Sequence, residues 1–150
     1  MKILVIGYGN TLRGDDGVGP RVAEAIESLH LPGVETLVCQ QLSPEQSEAI
    51  SRAEKVIFVD AAINTSEVQM WQLDPADSSQ LLAHSADPRT LLALSRDVYG
   101  HAPSAWWLTI PAERMEFCEG FSPKTKKGFS VAVERILPIL RSNDTVTIAL

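Results

Sequence analysis

Cysteine is scarce in this sequence, and its spacing excludes two kinds of site. The chain of 150 residues has two cysteines, Cys39 and Cys118, and neither belongs to a Cys-x-x-Cys pair. Zinc ribbons and dithiol redox sites need such pairs, so the sequence argues against both. Without a disulfide framework to form, we expect both thiols to be reduced and the protein to be cytoplasmic.

Long apolar runs and basic blocks are also missing. A membrane-spanning helix needs roughly 20 consecutive apolar residues, and no stretch reaches that length. The apolar start is short and leads directly into a glycine-rich turn, which is not the pattern of a signal peptide. The net charge of −6 argues against nucleic acid as a partner. We therefore expect neither a membrane nor a nucleic-acid partner.

Three catalytic or nucleotide-binding patterns are absent as well. Leu12 stands where a dinucleotide-binding loop, Gly-x-Gly-x-x-Gly, has its third glycine, and the Walker phosphate-loop pattern does not occur. Asp15 and Asp16 would repel a pyrophosphate, which is usually bound by backbone N–H groups and positive charge. Since Gly-x-Ser-x-Gly is missing too, a serine nucleophile of that type is not expected.

Strand-like and helix-like segments alternate along the whole sequence. This order predicts an α/β fold, a single-domain three-layer sandwich over residues 1–150 with a twisted, mostly parallel five-stranded sheet flanked by helices. Residues 74–86 and 115–121 are expected to be loops. Within the tail 144–150, residues 145–148 have strand character, with a frayed end as the alternative. The predicted strands are 2–7, 34–39, 55–61, 68–73 and 105–110, and the predicted helices are 18–30, 43–52, 87–100 and one that begins at Ser122.

The turn over residues 7–19 is the most informative segment. It holds five glycines and the adjacent carboxylates Asp15 and Asp16, and it follows the first strand. Open α/β sheets bind ligands at this edge, and glycines let the backbone approach another chain or a ligand closely. The carboxylates suit acid–base chemistry or a metal ion. The alternative is a tight turn with acidic residues near a helix N-terminus, where the helix dipole favours them.

Asp60 and His84 are predicted to reach the same edge of the sheet. Asp60 ends an apolar strand, where a carboxylate is costly unless it has a partner or a function, although it could also cap a nearby turn. His84 lies in the loop before the third helix, with a surface position as the alternative. His30 is expected at the end of a helix, and His101 is expected to face solvent. Two carboxylates and one imidazole fit a divalent first-row metal. Water or substrate would complete the coordination shell of that metal.

Taken together, these motifs resemble the maturation endopeptidases of nickel–iron hydrogenases. The resemblance covers nearly the whole chain, although Asp16 stands where the family often has Glu and Phe121 where it usually has Leu. It rests on Gly7-x-Gly9-Asn10-x-Leu12-x-x-Asp15-Asp16-Gly17-x-Gly19, on Val59-Asp60-Ala61, on His84 before a Leu-rich helix and on Glu119-Gly120-Phe121-Ser122-Pro123.

The resemblance implies an enzyme that removes a short C-terminal extension from the nickel-loaded large-subunit precursor of a hydrogenase. It implies nickel carried by that precursor and no permanent cofactor, and we expect a monomer that meets its substrate transiently. The implied catalytic and nickel-contacting residues are Asp16, Asp60 and His84. The expected substrate-binding residues are Gly9, Asn10, Asp15 and Gly17.

Two other functions stay open at this point. A peptidyl-tRNA-hydrolase-like enzyme begins with a similar strand and turn, but it needs a basic face that a chain with a net charge of −6 does not offer. A nickel-dependent binding or chaperone module would bind nickel stably by itself. For the endopeptidase, nickel can be a recognition handle or a Lewis acid, and either carboxylate can be the general base.

Overall fold

Strands and helices alternate in the structure as the sequence predicts. The computed structural model describes residues 2–77 and 87–145, with side chains up to residue 141. The strands are β1 (Ile3–Tyr8), β2 (Val34–Cys39), β3 (Lys55–Ala62), β4 (Gln69–Leu73) and β5 (Ser104–Pro111). The helices are α1 (Val18–Glu27), α2 (Ser47–Ser51), α3 (Pro88–Tyr99) and α4 (Pro123–Thr145), with short 3-10 turns at Gly14–Gly17 and Pro44–Gln46.

The five strands form one sheet in the order β2-β1-β3-β5-β4. The β1–β2, β1–β3 and β3–β5 pairs are parallel, and β4 is antiparallel to β5. β3 lies in the middle, and residues 56–59 of this strand are buried, as expected for a strand covered on both faces. The predicted α/β fold with a mostly parallel five-stranded sheet is confirmed.

Helices cover both faces of the sheet, and each face has its own apolar core. Alternate residues of β1 supply the two cores, because successive strand side chains point to opposite faces. Ile3 and Val5 pack with residues of α1 and α4, such as Val22 and Ile136. Leu4, Ile6 and Phe58 instead pack with Leu91 and Leu92 of α3. The result is the predicted three-layer arrangement.

Side-chain caps begin two helical segments at the positions that the sequence indicates. The Ser43 N–H donates to Oε1 of Gln46 over 2.8 Å, which starts the turn leading into α2. At α3, the Thr90 N–H donates to Oδ1 of Asp87 and the Asp87 N–H donates to Oγ1 of Thr90, both over 2.9 Å. Gly100 ends α3 in the left-handed region at φ +84°. Both caps lie at the carboxyl edge of the sheet.

Some element boundaries differ from the prediction. α1 ends at Glu27 instead of residue 30, because His30 has a positive φ of 49° and Gly33 follows with φ 75°. The last helix continues to Thr145, the first residue of the strand-like segment 145–148, and residues 146–150 lie outside the described residues. Within the described ranges, no helix is both long and apolar enough to cross a membrane.

The start of α1 lies almost against the sheet, and glycine makes this approach possible. A Cβ on Gly7 would overlap the carbonyl oxygen of Gly19. A Cβ on Gly19 would overlap the carbonyl oxygen of Val59 and lie 2.8 Å from that of Tyr8. Real Cβ atoms do not come so close to backbone oxygen, so these glycines bring the turn, β1 and β3 together.

We expect Gly19→Ala to destabilise the fold although it lies in a helix. In an open helix the change would stabilise by up to about 1 kcal/mol. Here the methyl group meets backbone on two strands, so the free energy of unfolding should fall by about 1–3 kcal/mol. Urea denaturation measures the difference, with the exposed helical substitution Ser130→Ala as control. A Gly19→Ala protein as stable as the wild type would contradict this packing.

Candidate active site

The carboxyl ends of β1, β2 and β3 surround a cavity of about 520 Å³. This is the edge at which open α/β sheets bind ligands, and the volume is that of a small-molecule site. Asp16 lines the cavity from the turn after β1, and Asp60 lines it from β3. The remaining lining residues are Tyr8, Gly9 and the segment Gln40-Gln41-Leu42-Ser43-Pro44.

Asp16 is held by the glycine turn itself. The Asn10 N–H donates to its Oδ2 over 2.7 Å. Gly9 has a φ of +147°, and a Cβ there would overlap the carbonyl oxygen of Asp16. Only glycine fits this combination of backbone angle and close approach. The Asp16 carboxylate therefore has one oxygen fixed by the turn and stays half-exposed toward the cavity.

Asp60 lies beside the end of β1. In the parallel register Gly7 pairs with Val59, which makes Tyr8 the neighbour of Asp60. Burial raises the pKa of Asp60 to about 6. The hydrogen bonds from the Ala61 amide and the Tyr8 hydroxyl act to lower it, and the charge of Asp16 raises it. A carboxyl group with this pKa exchanges protons near neutral pH, which is what general acid–base catalysis requires.

Tyr8 is a neutral neighbour of this carboxyl group. Burial raises the pKa of the Tyr8 hydroxyl, and the charges of Asp60 and Asp87 raise it further, while the Trp107 indole acts in the opposite direction. Tyr8 therefore remains a hydrogen-bond donor at physiological pH. Asp87 caps the start of α3, so its charge acts on Tyr8 from the end of that helix.

Asp15 has a different environment from Asp16, although the two are adjacent. Asp15 is fully buried, and its carboxylate accepts four hydrogen bonds. Burial acts to raise its pKa, but the hydrogen bonds from Glu113, Arg114 and Ser122 outweigh burial and lower it to about 2. The donors are the Glu113 N–H at 3.0 Å, the Arg114 N–H and Ser122 N–H at 2.8 Å, and the Ser122 hydroxyl at 2.7 Å.

These bonds tie the glycine turn to the segment between β5 and α4. The Asp15 N–H also donates to the Arg114 carbonyl over 2.7 Å, so the two residues bond reciprocally. Next to Ser122, the Thr125 hydroxyl donates to the Pro111 carbonyl over 2.8 Å, which fixes the start of α4. The Asp15 and Ser122 motifs, far apart in sequence, are thus two halves of one contact.

The structure brings together two of the predicted catalytic residues. Asp16 and Asp60 share the cavity, whereas His84 lies outside the described residues. Within the described ranges, no group of three or more His, Cys, Asp or Glu side chains is placed to hold a metal ion. The described part of the site therefore supplies two carboxylates, too few to fill the coordination shell of a first-row metal.

The predicted substrate-binding residues have different places. Gly9 lines the cavity, and Asn10 lies behind Asp16 and holds it through its backbone N–H. Asp15 faces the interior. Gly17 is buried, and a Cβ there would lie 2.9 Å from the Thr11 Cα. The close approaches at Gly9 and Gly17 are thus to the chain's own backbone.

The two other histidines lie away from this cavity. His30 lines a separate cavity with Glu27 and Glu35. His101 is exposed, and its Nε2 lies 3.0 Å from the Ala53 carbonyl oxygen at the other end of α3. Neither side chain can be the third group of the site.

Tyr8 and the segment Gln40–Ser43 are cavity residues that the sequence reasoning did not single out. The sequence did contain a signal for Gln40. This residue follows β2 directly and must therefore lie at the same sheet edge as Asp16. Tyr8 occupies the variable position inside Gly7-x-Gly9, where a pattern of glycines gives no information about the residue between them.

Comparisons with known proteins establish the fold. No protein-family model matches the sequence, and no curated protein matches it either. Among solved structures, the hydrogenase maturating endopeptidase HybD from Escherichia coli has a TM-score of 0.75 at 22% identity, over 95% of this chain and 94% of that one. The NiFe hydrogenase maturation protease HycI from Thermococcus kodakarensis has 0.72 at 24%, over 93% and 92%.

A third similar structure is the hydrogenase 2 maturation peptidase from a Thaumarchaeota archaeon. Its TM-score is 0.70 at 24% identity, over 93% of this chain and 98% of that one. The chain thus has the fold of hydrogenase maturation endopeptidases over almost its whole length. This fold is the one that the sequence motifs predict.

We expect Asp15→Asn to lower the free energy of unfolding at pH 7 by about 3 kcal/mol or more, because an amide cannot accept all the bonds of the carboxylate. Because the pKa of Asp15 is lowered in the folded state, its charge stabilises the fold at pH values above the ordinary carboxyl pKa of about 4. This contribution is lost as the pH falls through about 2. Chemical denaturation between pH 7 and 2 should therefore show a weaker acid dependence in the variant.

The matched control is Asp74→Asn, which changes an exposed carboxylate on a loop. Its effect on the free energy of unfolding should be within about 0.5 kcal/mol. Equal stability of Asp15→Asn and Asp74→Asn at pH 7 would show that the buried bonds do not hold the turn.

Proposed function

We propose that this protein is an endopeptidase that removes a C-terminal extension from the nickel-loaded large-subunit precursor of a nickel–iron hydrogenase. The observation that carries the proposal is the pair of carboxylates, Asp16 from the turn after β1 and Asp60 from β3, which line one open cavity. The fold shared with maturation endopeptidases from bacteria and archaea supports it. So does the agreement of the turn motif with the family pattern.

The chemistry needs a group that moves protons. Hydrolysis of a peptide bond takes one proton from water and delivers one to the leaving nitrogen. In this proposal Asp60 accepts the proton while the water oxygen bonds to the carbonyl carbon. The C–N bond then breaks, and the protonated Asp60 returns the proton to the new amine. Without the precursor, the pKa of Asp60 is about 6. Contact with the positively charged nickel of the substrate would lower this pKa, so Asp60 would be the carboxylate that accepts the proton at neutral pH.

Nickel enters this reaction as part of the substrate. Asp16, Asp60 and His84 are proposed to contact nickel that the precursor already carries, so the protein needs no permanent metal of its own. Two carboxylates and one imidazole leave coordination positions that the precursor's own ligands fill. Nickel then serves first as a recognition handle, because only a loaded precursor presents an ion that the site can bind.

His84 has a sequence position compatible with this role. It precedes Asp87 by three residues, a stretch that spans at most roughly 10 Å of chain. Asp87 acts electrostatically on Tyr8, which lines the cavity with Asp60. Gly9 lines the substrate side of the cavity, Asn10 holds Asp16 through its backbone N–H, and Asp15 and Gly17 serve the site by fixing the turn. We further propose a cytoplasmic monomer that meets the precursor transiently.

The decisive variants are Asp16→Asn and Asp60→Asn, which keep size and remove charge. Each should lower the rate of C-terminal processing by at least about 100-fold, because Asp60 moves the proton and Asp16 contacts the nickel of the substrate. His84→Ala should be similarly impaired. Mass spectrometry of the nickel-loaded precursor over time gives the rates. Circular dichroism and urea denaturation check that the variants are folded.

Asp97→Asn is the matched control for these variants. Asp97 is exposed near the end of α3 and pairs with Arg96 at 2.8 Å, so its loss should leave both the rate and the stability nearly unchanged. If folded Asp16→Asn and Asp60→Asn proteins process the precursor as fast as Asp97→Asn does, the proposed site is wrong.

A further inference from the structure

A second cavity continues the carboxylate cavity along the same edge of the sheet. Its volume is about 300 Å³, and it lies between the glycine turn and the end of β2. The two cavities share Gly9 and Gln40, so a chain that crosses these residues passes from one into the other. No residue that lines the second cavity carries a charge, although the protein has a net charge of −6.

Leu12 and Val38 supply the large apolar side chains of this second cavity. Leu12 is 68% exposed and Val38 is 48% exposed. Single exposed apolar residues are common, but here two from different elements line one uncharged cavity beside the carboxylates. The first cavity is lined by two carboxylates and the second by apolar side chains. This pair of cavities suits a peptide whose reacting bond is polar and whose nearby side chain is apolar.

The Leu12 side chain is exposed on a backbone that is firmly held. The Leu12 N–H donates to Oδ1 of Asn10 over 2.9 Å, and the Leu12 carbonyl accepts from the Cys118 N–H at 3.3 Å. The neighbouring Arg13 donates through Nε to the Met115 carbonyl over 3.0 Å. The backbone that carries Leu12 is therefore fixed, while its side chain stays exposed beside the second cavity.

The same turn fixes Leu12 and Asp16 relative to each other. Asn10 donates its N–H to Asp16 over 2.7 Å and accepts from Leu12 through its side chain. A substrate side chain placed against Leu12 is therefore placed at a set distance from the carboxylate. This arrangement can position a scissile bond as well as bind a residue near it.

We infer that Leu12 and Val38 form a specificity subsite for one uncharged, apolar side chain of the precursor, within a few residues of the scissile bond. This inference rests on the proposed function. An extended peptide advances about 3.3 Å per residue, so a bond at the carboxylates puts a nearby side chain in the adjoining cavity. A volume of about 300 Å³ accommodates a single large side chain.

The first test is steady-state processing of the nickel-loaded precursor by Leu12→Ala and Val38→Ala. We expect KM to rise roughly 10-fold for Leu12→Ala while kcat stays within about twofold, because the contact is made in both the ground and transition states. Leu29→Ala is the control, since Leu29 is 46% exposed and lines neither cavity. It should leave both constants unchanged.

The second test introduces a negative charge in the substrate and a positive charge in the enzyme. Precursors are made with Asp at each of the positions flanking the scissile bond in turn. One originally apolar position should block processing by the wild type, and Leu12→Lys should process that precursor faster than the wild type does. Such a rescue identifies the contact and does not arise from a change in protein stability.

The outcomes separate this inference from the function on which it rests. If neither the wild type nor Leu29→Ala cleaves the loaded precursor, the proposed function fails. If the wild type cleaves it and Leu12→Ala has the same KM, only the subsite is overturned. Sedimentation gives a further result: a wild-type dimer that becomes a monomer in Leu12→Ala, with unchanged processing, would assign this surface to a second copy and overturn the inference.

Discussion

The buried carboxylate of Asp15 is the interaction on which the candidate site depends. Four donors from the segment between β5 and α4 converge on it, and together they compensate the cost of burying a charge. Three of the four donors are backbone N–H groups. An apolar residue in place of Asp15 would leave these groups buried without acceptors. The turn after β1 is thereby attached to a segment about 100 residues later in the chain.

Asp15 and Asp16 show how one short 3-10 turn serves two functions. Asp15 faces inward and fixes the turn, while Asp16 faces the cavity and keeps one carboxylate oxygen free of the turn. The glycines allow this because the turn lies against β1, β3 and the start of α1 with almost no space for side chains. Rigid backbone around a half-exposed carboxylate is what preorganised catalysis and metal recognition both require.

Much of the fold could be predicted, because alternating apolar strands and capped helices leave few arrangements for a parallel sheet. The edge of the sheet that holds Asp16 and Asp60 followed from the same argument. The separate role of Asp15 did not, since its partners Glu113, Arg114 and Ser122 are distant in sequence and three of the bonds involve backbone. Residue type and spacing carry no information about such contacts. The place of His84 stays a prediction.

The proposed function requires that the site acts on a nickel-bearing precursor. The most direct measurement is intact-mass analysis of the large-subunit precursor incubated with this protein, with nickel-loaded and nickel-free samples side by side. We expect loss of a C-terminal peptide from the loaded sample alone. Cleavage of both samples would show that nickel is not needed for recognition. Cleavage of neither sample, with a precursor shown to be loaded and folded, would contradict the endopeptidase function.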